Sequence, residues 1–516
     1  MSKVYDYIII GSGFGGSVSA MRLSEKGYSV AVLEKGKAFK SEDFPKSNWN
    51  LPKYFWFPRI RFFGFQKLSL FKEAFILSGV GVGGGSLVYA NTLMQPENNF
   101  YKNPKWKHLN DWQEILPPFY EKAKFMLGAT QNPRFYKADE LLREVAVDMG
   151  REETFKSVDV GVYFSDDKEE KDPYFGGEGP LRSPCKECAA CMVGCRYNAK
   201  NTLDKNYLFF AQKNGAQIFA ETEVVKIEFL NNEYVIHTKS STSFFSKTKI
   251  FKSKGLIVSA GVLGTLKLLF KQKQKFKTLP DISEKLGENL LTNSESICGV
   301  TNIPEKVNHG IAISSVFNAD DDTHVEVVKF PDGSGAMKLL STLAAGPGNS
   351  LVRTIKMMFN IITHPFTFLK ALFGRNWAGK TIILLVMQSS ENSMKMIYSN
   401  FKGMHMKNKG KHKVPAYIPK GQEVMYNYAR KANGVPANAL NEIVLNTSTT
   451  AHIMGGCPMG ESALEGVVNN KFEVFNYKNM YVLDGSIIPC NLGVNPSLTI
   501  TALSEYAMSL IPPKNV

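Results

Sequence analysis

Three groups of residues in this 516-residue chain have the types and spacing to do chemistry. The first is Gly11-x-Gly13-x-x-Gly16, with Ser12 and Phe14 in the same loop and Glu34 eighteen residues beyond Gly16. Between a strand and a helix, such glycines allow a tight turn, backbone approach to a pyrophosphate, and close helix–strand packing. The free amides and dipole at the helix start favour the anion. Glu34, at the end of the next strand, can accept hydrogen bonds from ribose hydroxyls, and its charge argues against a 2′-phosphate. The second group is Cys185-x2-Cys188-x2-Cys191-x3-Cys195, four of the seven cysteines. Thiolates so spaced can wrap a [4Fe–4S] cluster or a zinc ion. The run lacks the proline that follows it in bacterial ferredoxins, where the fourth cysteine serves a second cluster, and no second run exists here. The reading adopted is a cysteine-rich excursion without metal, with these four as the candidate ligands. The third group is C-terminal: His452 in Thr450-Ala-His-Ile-Met-Gly-Gly-Cys457, then Asp484-Gly485, then Gly493-Val-Asn495-Pro496-Ser497. The last is a turn opening a helix whose first amides could meet a partial negative charge.

These residues need elements to hold them. Residues 4–10 read as a buried parallel strand, 18–26 as a helix stopped by Gly27, and 28–33 as a second strand. Residues 78–86 are too glycine-rich for a packed strand. Residues 105–150 look helical, and 165–200 form a polar, cysteine-rich loop. Residues 216–229 and 233–239 read as strands around an Asn231-Asn232 turn, and 255–264 as strand, turn and helix. Residues 296–390 mix strands with a basic helical stretch, and strand–turn–helix returns from about 446. Length alone suggests about three domains. Glycine-rich strand ends recur near 83, 261 and 485. The expectation is therefore an α/β chain (α+β overall): a Rossmann-like domain assembled from 1–50, 74–100, 198–295 and 446–516. A lid or loop spans 51–73, the cysteine-rich excursion 165–197, and a substrate domain of β-sheet with helices 296–445.

The chain resembles the glucose–methanol–choline (GMC) flavin oxidoreductases, and within them the bacterial cholesterol oxidase-like group with noncovalent FAD. The matching pieces are the N-terminal fingerprint, 79–96, 198–208, 258–264 and 451–505. His-x-x-Gly-Gly-Cys together with Gly-Val-Asn-Pro-x-x-Thr-Ile-Thr-Ala-Leu is highly specific. The resemblance implies that His452 contacts the substrate hydroxyl and that Asn495 is the second active-site polar residue. It implies that Gly83, Gly84, Gly85 and Ser86 lie along the flavin. Asp484 and Gly485 fall beside the ribityl–pyrophosphate part, the Val224 backbone meets adenine, and Pro496 is counted among the cofactor-binding residues. Glu326, in a short similar stretch ending at Pro331, matches a glutamate that moves a proton during double-bond isomerisation. His324, two residues away, is left without a role.

The implied activity is oxidation of an alcohol, foremost the 3β-hydroxyl of a sterol, with O2 or another acceptor reoxidising the flavin. The chemistry agrees: a base must stand about 3 Å from the hydroxyl, and a neutral histidine suits that near pH 7. The alternative is a dehydrogenase of another large apolar alcohol, passing electrons to a non-oxygen acceptor through an iron–sulfur cluster. Tyr89-Ala90-Asn91 departs from the secreted cholesterol oxidases, so oxidase and dehydrogenase both stay open.

The net charge is +15, with 44% hydrophobic and 21% charged residues. The composition is that of a globular protein. No zinc finger, RRM or helix-turn-helix pattern supports nucleic-acid binding. Two stretches, Pro52–Lys72 and Arg353–Trp377, combine cations with bulky apolar residues, as a surface meeting an anionic membrane would. An amphipathic core or lid helix is the competing reading. No signal peptide or membrane-spanning run is seen, so the expected location is cytoplasmic, with peripheral membrane contact as an option.

Overall fold

A computed structural model describes residues 3–244, 248–390, 392–408 and 414–515. The alternation of branched and aromatic residues in Val4–Ile10 builds its first strand, buried from Tyr5 onward. This strand lies between Val30–Leu33 and Lys249–Val258, parallel to both. Gln217–Phe219 extends the sheet beyond Val30–Leu33. On the other side Lys249–Val258 serves two partners. Its first half pairs antiparallel with Glu233–Ser240, which hairpins to Thr222–Leu230 through Asn231 and Asn232, both at positive φ. Its second half pairs parallel with Met480–Val482. Continuous apolar runs in the central strands fit a sheet covered on both faces.

Helix Phe14–Glu25 follows the first strand and packs beside the C-terminal helix Ser497–Ser509. The Cβ that any other residue would carry at Gly15 would stand 1.8 Å from the Leu483 carbonyl oxygen, so the helix lies directly on the segment after Met480–Val482. Arg22 donates to both Glu505 oxygens at 2.8 Å, and Tyr207 donates to the same carboxylate at 2.7 Å. That carboxylate is buried, and these donors supply the hydrogen bonds it would otherwise lose.

A second sheet of seven strands is antiparallel throughout. Its order is Ser341–Leu343, Val435–Ala439, Ser296–Thr301, Ile382–Gln388, Thr323–Val328, Ile313–Asn318 and Lys156–Ser157. One face (Cys298, Val300, Val325, Val327, Leu384, Val386) packs on helices Lys137–Asp148 and Pro419–Lys431. The opposite face carries Ile297, Glu326, Ile383 and Leu385, by the two-residue side-chain period of a strand. A small third sheet joins Gln66–Leu70, Ala74–Gly79 and Ser448–Thr450.

Three local expectations change. Ser78 and Gly79 do end a strand, because Ala74–Gly79 pairs on both sides. The 105–150 region is broken into helices Trp112–Ile115, Pro117–Leu127 and Lys137–Asp148, with an edge pairing at Thr130–Gln131. Much of Pro52–Lys72 turns inward: Tyr54 and Phe65 pack with Phe44, Leu87, Val193 and Trp377.

Candidate active site

Gly13 caps helix Phe14–Glu25 with no side-chain hydrogen bond, so the first amides of the helix remain available. Ser12 is a brace: its amide and hydroxyl both donate to Glu34 Oε2, at 3.1 and 2.8 Å, and its hydroxyl accepts from the Gly83 amide at 3.1 Å. Glu34 Oε1 accepts from the Gly36 amide at 2.8 Å. The fingerprint therefore touches the second glycine loop. A Cβ at Gly84 would stand 2.6 Å from Gly13 Cα, and Gly84 has φ +53°. Ser86 donates to the Gly83 carbonyl at 2.7 Å and accepts from Leu203. The Phe14 ring lies edge-on to Tyr89 and beside Gly85.

Thr222 donates its amide to the Glu34 carbonyl at 2.8 Å, which brings Val224, at a β-bulge, beside the end of Val30–Leu33. Asp484 lies on the far side of the helix start, accepting from Ser486 and from Thr265. Burial raises its pKa against those hydrogen bonds. Gly485 packs against Val262 and Ile453. Gly261 caps the next helix without a side chain in its way. An uncapped helix start, two backbone-lined glycine loops and a buried acid at the strand end form a cradle that a dinucleotide fits.

The catalytic candidates converge. Asn495 Nδ2 lies 3.4 Å from His452 Nε2 and 3.4 Å from Glu326 Oε2. Glu326 is fully buried, and His324 Nε2 stands 3.4 Å from its other oxygen. His324 Nδ1 is 3.0 Å from Asn318 Oδ1. Asn495 Oδ1 is buried with no hydrogen-bond partner among the described residues. An orphaned acceptor at a cleft asks for a ligand to complete it.

Sequence reasoning missed Glu295 and Asn293. Glu295 is fully buried, and its Oε1 closes on His452 Nδ1. Its Oε2 accepts from the Ala451 amide at 2.8 Å. Burial alone would lower the His452 pKa; the adjacent Glu295 carboxylate outweighs it, with Glu326 adding, and the net shift is upward. A proton on Nδ1 facing Glu295 leaves the Nε2 lone pair as the acceptor. Asn293 Oδ1 accepts from the Leu492 and Gly493 amides at 3.0 and 2.9 Å, and its Nδ2 donates to the Val494 carbonyl. It therefore fixes the turn that carries Asn495. The available signal was a polar run, Thr292-Asn-Ser-Glu-Ser296, with every member buried.

A solvent-open apolar pocket is lined by residues that neighbour this cluster in sequence and on the second sheet. Its lining includes Phe75, Ile297, Met337, Trp377, Ile383 and Thr449. Ile297 and Thr449 are two and three residues from Glu295 and His452, and Ile383 shares the sheet face of Glu326. That apolar character suits an apolar ligand.

The four clustered cysteines line a recess of their own with Asn91, Lys200 and Gly310. Among the described residues, no group of three or more His, Cys, Asp or Glu side chains is placed to hold a metal ion.

The nucleotide cradle and the buried polar cluster over a second sheet define an FAD-dependent oxidoreductase. Sequence comparison gives the family. GMC oxidoreductase patterns match residues 181–292 and 375–504, and an FAD binding domain pattern matches residues 6–47. A cholesterol oxidase of Acinetobacter baumannii is 44% identical over 99% of this chain and 95% of its own length. A cholesterol oxidase of Mycobacterium tuberculosis is 41% identical over 100% of this chain and 92% of its own. A long-chain-alcohol oxidase of Arabidopsis thaliana is 25% identical over 98% of this chain and 66% of its own. The crystal structure of pyridoxine 4-oxidase from Mesorbium loti shares the fold, with TM-score 0.62 and 13% identity over 98% of this chain and 99% of that one. The chain belongs to the GMC oxidoreductase family.

Proposed function

We propose that this protein oxidises the 3β-hydroxyl of a sterol, with O2 as the terminal acceptor. The observation that carries the reading is the meeting of His452, Asn495 and Glu326, with an apolar pocket lined by Ile297, Ile383 and Thr449 from the same strands and turns. The two cholesterol oxidases similar over their whole length support it. When bound, FAD supplies the hydride acceptor. His452 Nε2 takes the hydroxyl proton while Glu295 holds Nδ1, fixes the tautomer and balances the imidazolium that forms. Asn495 orients the substrate oxygen. Glu326, desolvated and within reach of Asn495, carries a proton between carbons of the ketone product as its double bond migrates. The loops at 11–16 and 83–86, with Glu34, Val224, Asp484, Gly485 and Pro496, hold the cofactor. The segments 1–50, 74–100, 198–295 and 446–516 form the flavin domain, and 296–445 forms the substrate domain.

The same reading places a lipid-facing surface. Helices Ser350–Thr363 and Pro365–Phe373 expose Ile355, Phe359, Ile362, Phe366 and Phe373, the Phe366 side being 84% exposed. Lys370 and Arg375 flank them. Arg353 is not part of this face: it is buried and donates to the Glu442 carbonyl at 2.7 Å. No helix among the described residues is long and apolar enough to cross a membrane. These helices instead rest on the sheet beside the pocket, where a sterol leaving a bilayer would enter.

Mixing the oxidised protein anaerobically with cholesterol, a long-chain aliphatic alcohol and a polyol tests the substrate. Cholesterol should bleach the flavin far faster than the others, and peroxide should appear once O2 is admitted. Bleaching by the aliphatic alcohol alone would replace the sterol reading.

A further inference from the structure

Glu442 is a fully buried acid on the short helix Leu440–Val444, outside the group that meets at Asn495. Its carboxylate reaches both chain segments that carry the Glu295–His452 pair. Oε2 accepts from the Ser296 hydroxyl and Oε1 from the Ile297 amide, each at 2.9 Å. The Thr449 amide donates to the same carboxylate. Asn441, its neighbour, donates to the Thr449 hydroxyl at 2.8 Å and to the Thr447 carbonyl at 2.9 Å. We propose that Glu442 is a positioning residue for the oxidation: its carboxylate holds the segment of Glu295 against the segment of His452. This rests on His452 as the base, as proposed above.

A buried carboxylate is costly unless donors surround it, and here three converge. An apolar side chain in its place would leave two main-chain amides without acceptors in the interior. Burial pushes the Glu442 pKa up to about 8, against the Ile297 and Ser296 donors and the charge of Arg353. Its hold on the two segments therefore does not need a full negative charge near neutral pH. Other bonds lace the same segments: the Ser448 hydroxyl donates to the Glu295 carbonyl at 2.6 Å, and the Thr450 hydroxyl to the Thr292 carbonyl at 3.0 Å. Glu442 adds the two residues that follow Glu295. It thereby fixes the direction in which the Glu295 side chain leaves the main chain toward His452 Nδ1.

The brace is itself anchored to the lipid-facing helix. Arg353 Nη1 donates to the Glu442 carbonyl at 2.7 Å, and the Ser350 hydroxyl to the Val444 carbonyl at 2.5 Å. Both donors come from the start of helix Ser350–Thr363, whose Met357 packs with Ile443. The buried Arg353 guanidinium lies 4.9 Å from the Tyr417 ring, and Glu442 is the carboxylate that bears on it. Helix Leu440–Val444 thus carries the catalytic brace on one side and the anchor of the exposed helix on the other.

The test is anaerobic flavin reduction by cholesterol across pH, with FAD content and thermal unfolding measured on the same samples. Glu442→Ala should lower the limiting reduction rate about 10- to 100-fold, as a misplaced base does. The half-saturating cholesterol concentration should not change, and FAD should stay bound. The pH inflection should move down, because Glu295 no longer stays beside the His452 ring while the burial remains. Glu442→Gln should restore both rate and inflection: its carbonyl oxygen accepts from the amides, and the Ser296 hydroxyl turns to accept from its NH2. Lost thermal stability with rate and inflection unmoved would make Glu442 structural only and overturn the proposal. If Glu442→Ala does not fold, Ser296→Ala is read the same way: a lowered inflection supports the brace, and an unmoved one overturns it. His452→Ala is measured alongside. An unchanged reduction rate there removes the base and the brace together. A slow one, with the Glu442→Ala inflection unmoved, removes the brace alone.

Discussion

The side-chain amide of Asn495 stands 3.4 Å from the carboxylate of Glu326, joining the turn before the last helix to a strand of the second sheet. Under the proposed roles, oxidation and isomerisation are carried by neighbouring groups. Glu326→Gln should therefore separate them: flavin reduction by cholesterol changes less than about tenfold, while the unisomerised ketone accumulates. Ultraviolet absorption of the product distinguishes the two ketones. A conjugated product from the variant at the wild-type rate would remove Glu326 from that step.

His452→Ala should slow anaerobic flavin reduction by about 10²- to 10⁴-fold, the usual worth of a positioned base. FAD should remain bound, because His452 makes none of the cradle's contacts. Stopped-flow reduction and flavin content give the two readouts.

Glu295 controls when that base is ready. The His452 pKa is raised, so the neutral ring able to accept a proton exists only above that raised value. The reduction rate should climb with pH through an inflection above that of an ordinary histidine. Glu295→Gln removes the raising carboxylate and leaves the burial, so the inflection should move to lower pH. A variant with an unmoved inflection would make Glu295 structural only.

Gly84→Ala should lose FAD. The new methyl lies 2.6 Å from Gly13 Cα, at a φ that disfavours alanine. Equilibrium dialysis should show at least about tenfold weaker retention, equivalent to about 1.4 kcal/mol.

The exposed face of the 350–373 helices predicts binding to vesicles containing phosphatidylserine, weakening as salt rises. The double variant Ile362→Asp/Phe366→Asp should weaken cosedimentation by at least about tenfold, since each side chain buries about 1.5–3 kcal/mol of apolar surface. Indifference to salt and to lipid charge would return the +15 to dispersed solubility lysines.

The parts legible in sequence were those whose cause is local. The first strand, the fingerprint and the Asn231-Asn232 turn each follow from a few adjacent residues. His452 and Asn495 carried a distinctive local context, and the structure brings them together. Glu295 carried none: it is one acid in a polar run, and its meaning comes from a partner more than 150 residues away. Arg353 was misplaced for a related reason. On an amphipathic helix an arginine reads as outward, yet here the apolar residues face out and the cation turns in to a carbonyl. The cysteine run was recognised, but spacing alone does not show whether the thiols are placed to hold a metal ion.

The contact between Arg22 and Glu505 has a consequence for how the protein is made. Its two residues are 483 positions apart in the chain. At a synthesis rate of about 5–20 residues per second, the first helix waits some 25–100 s on the ribosome for its partner. Met480–Val482, which completes the sheet, emerges nearly as late. The antiparallel second sheet, whose strands end by Ala439, can form earlier. The nascent chain should therefore leave the ribosome with its middle folded and its nucleotide cradle open, so that flavin loading is a post-translational event.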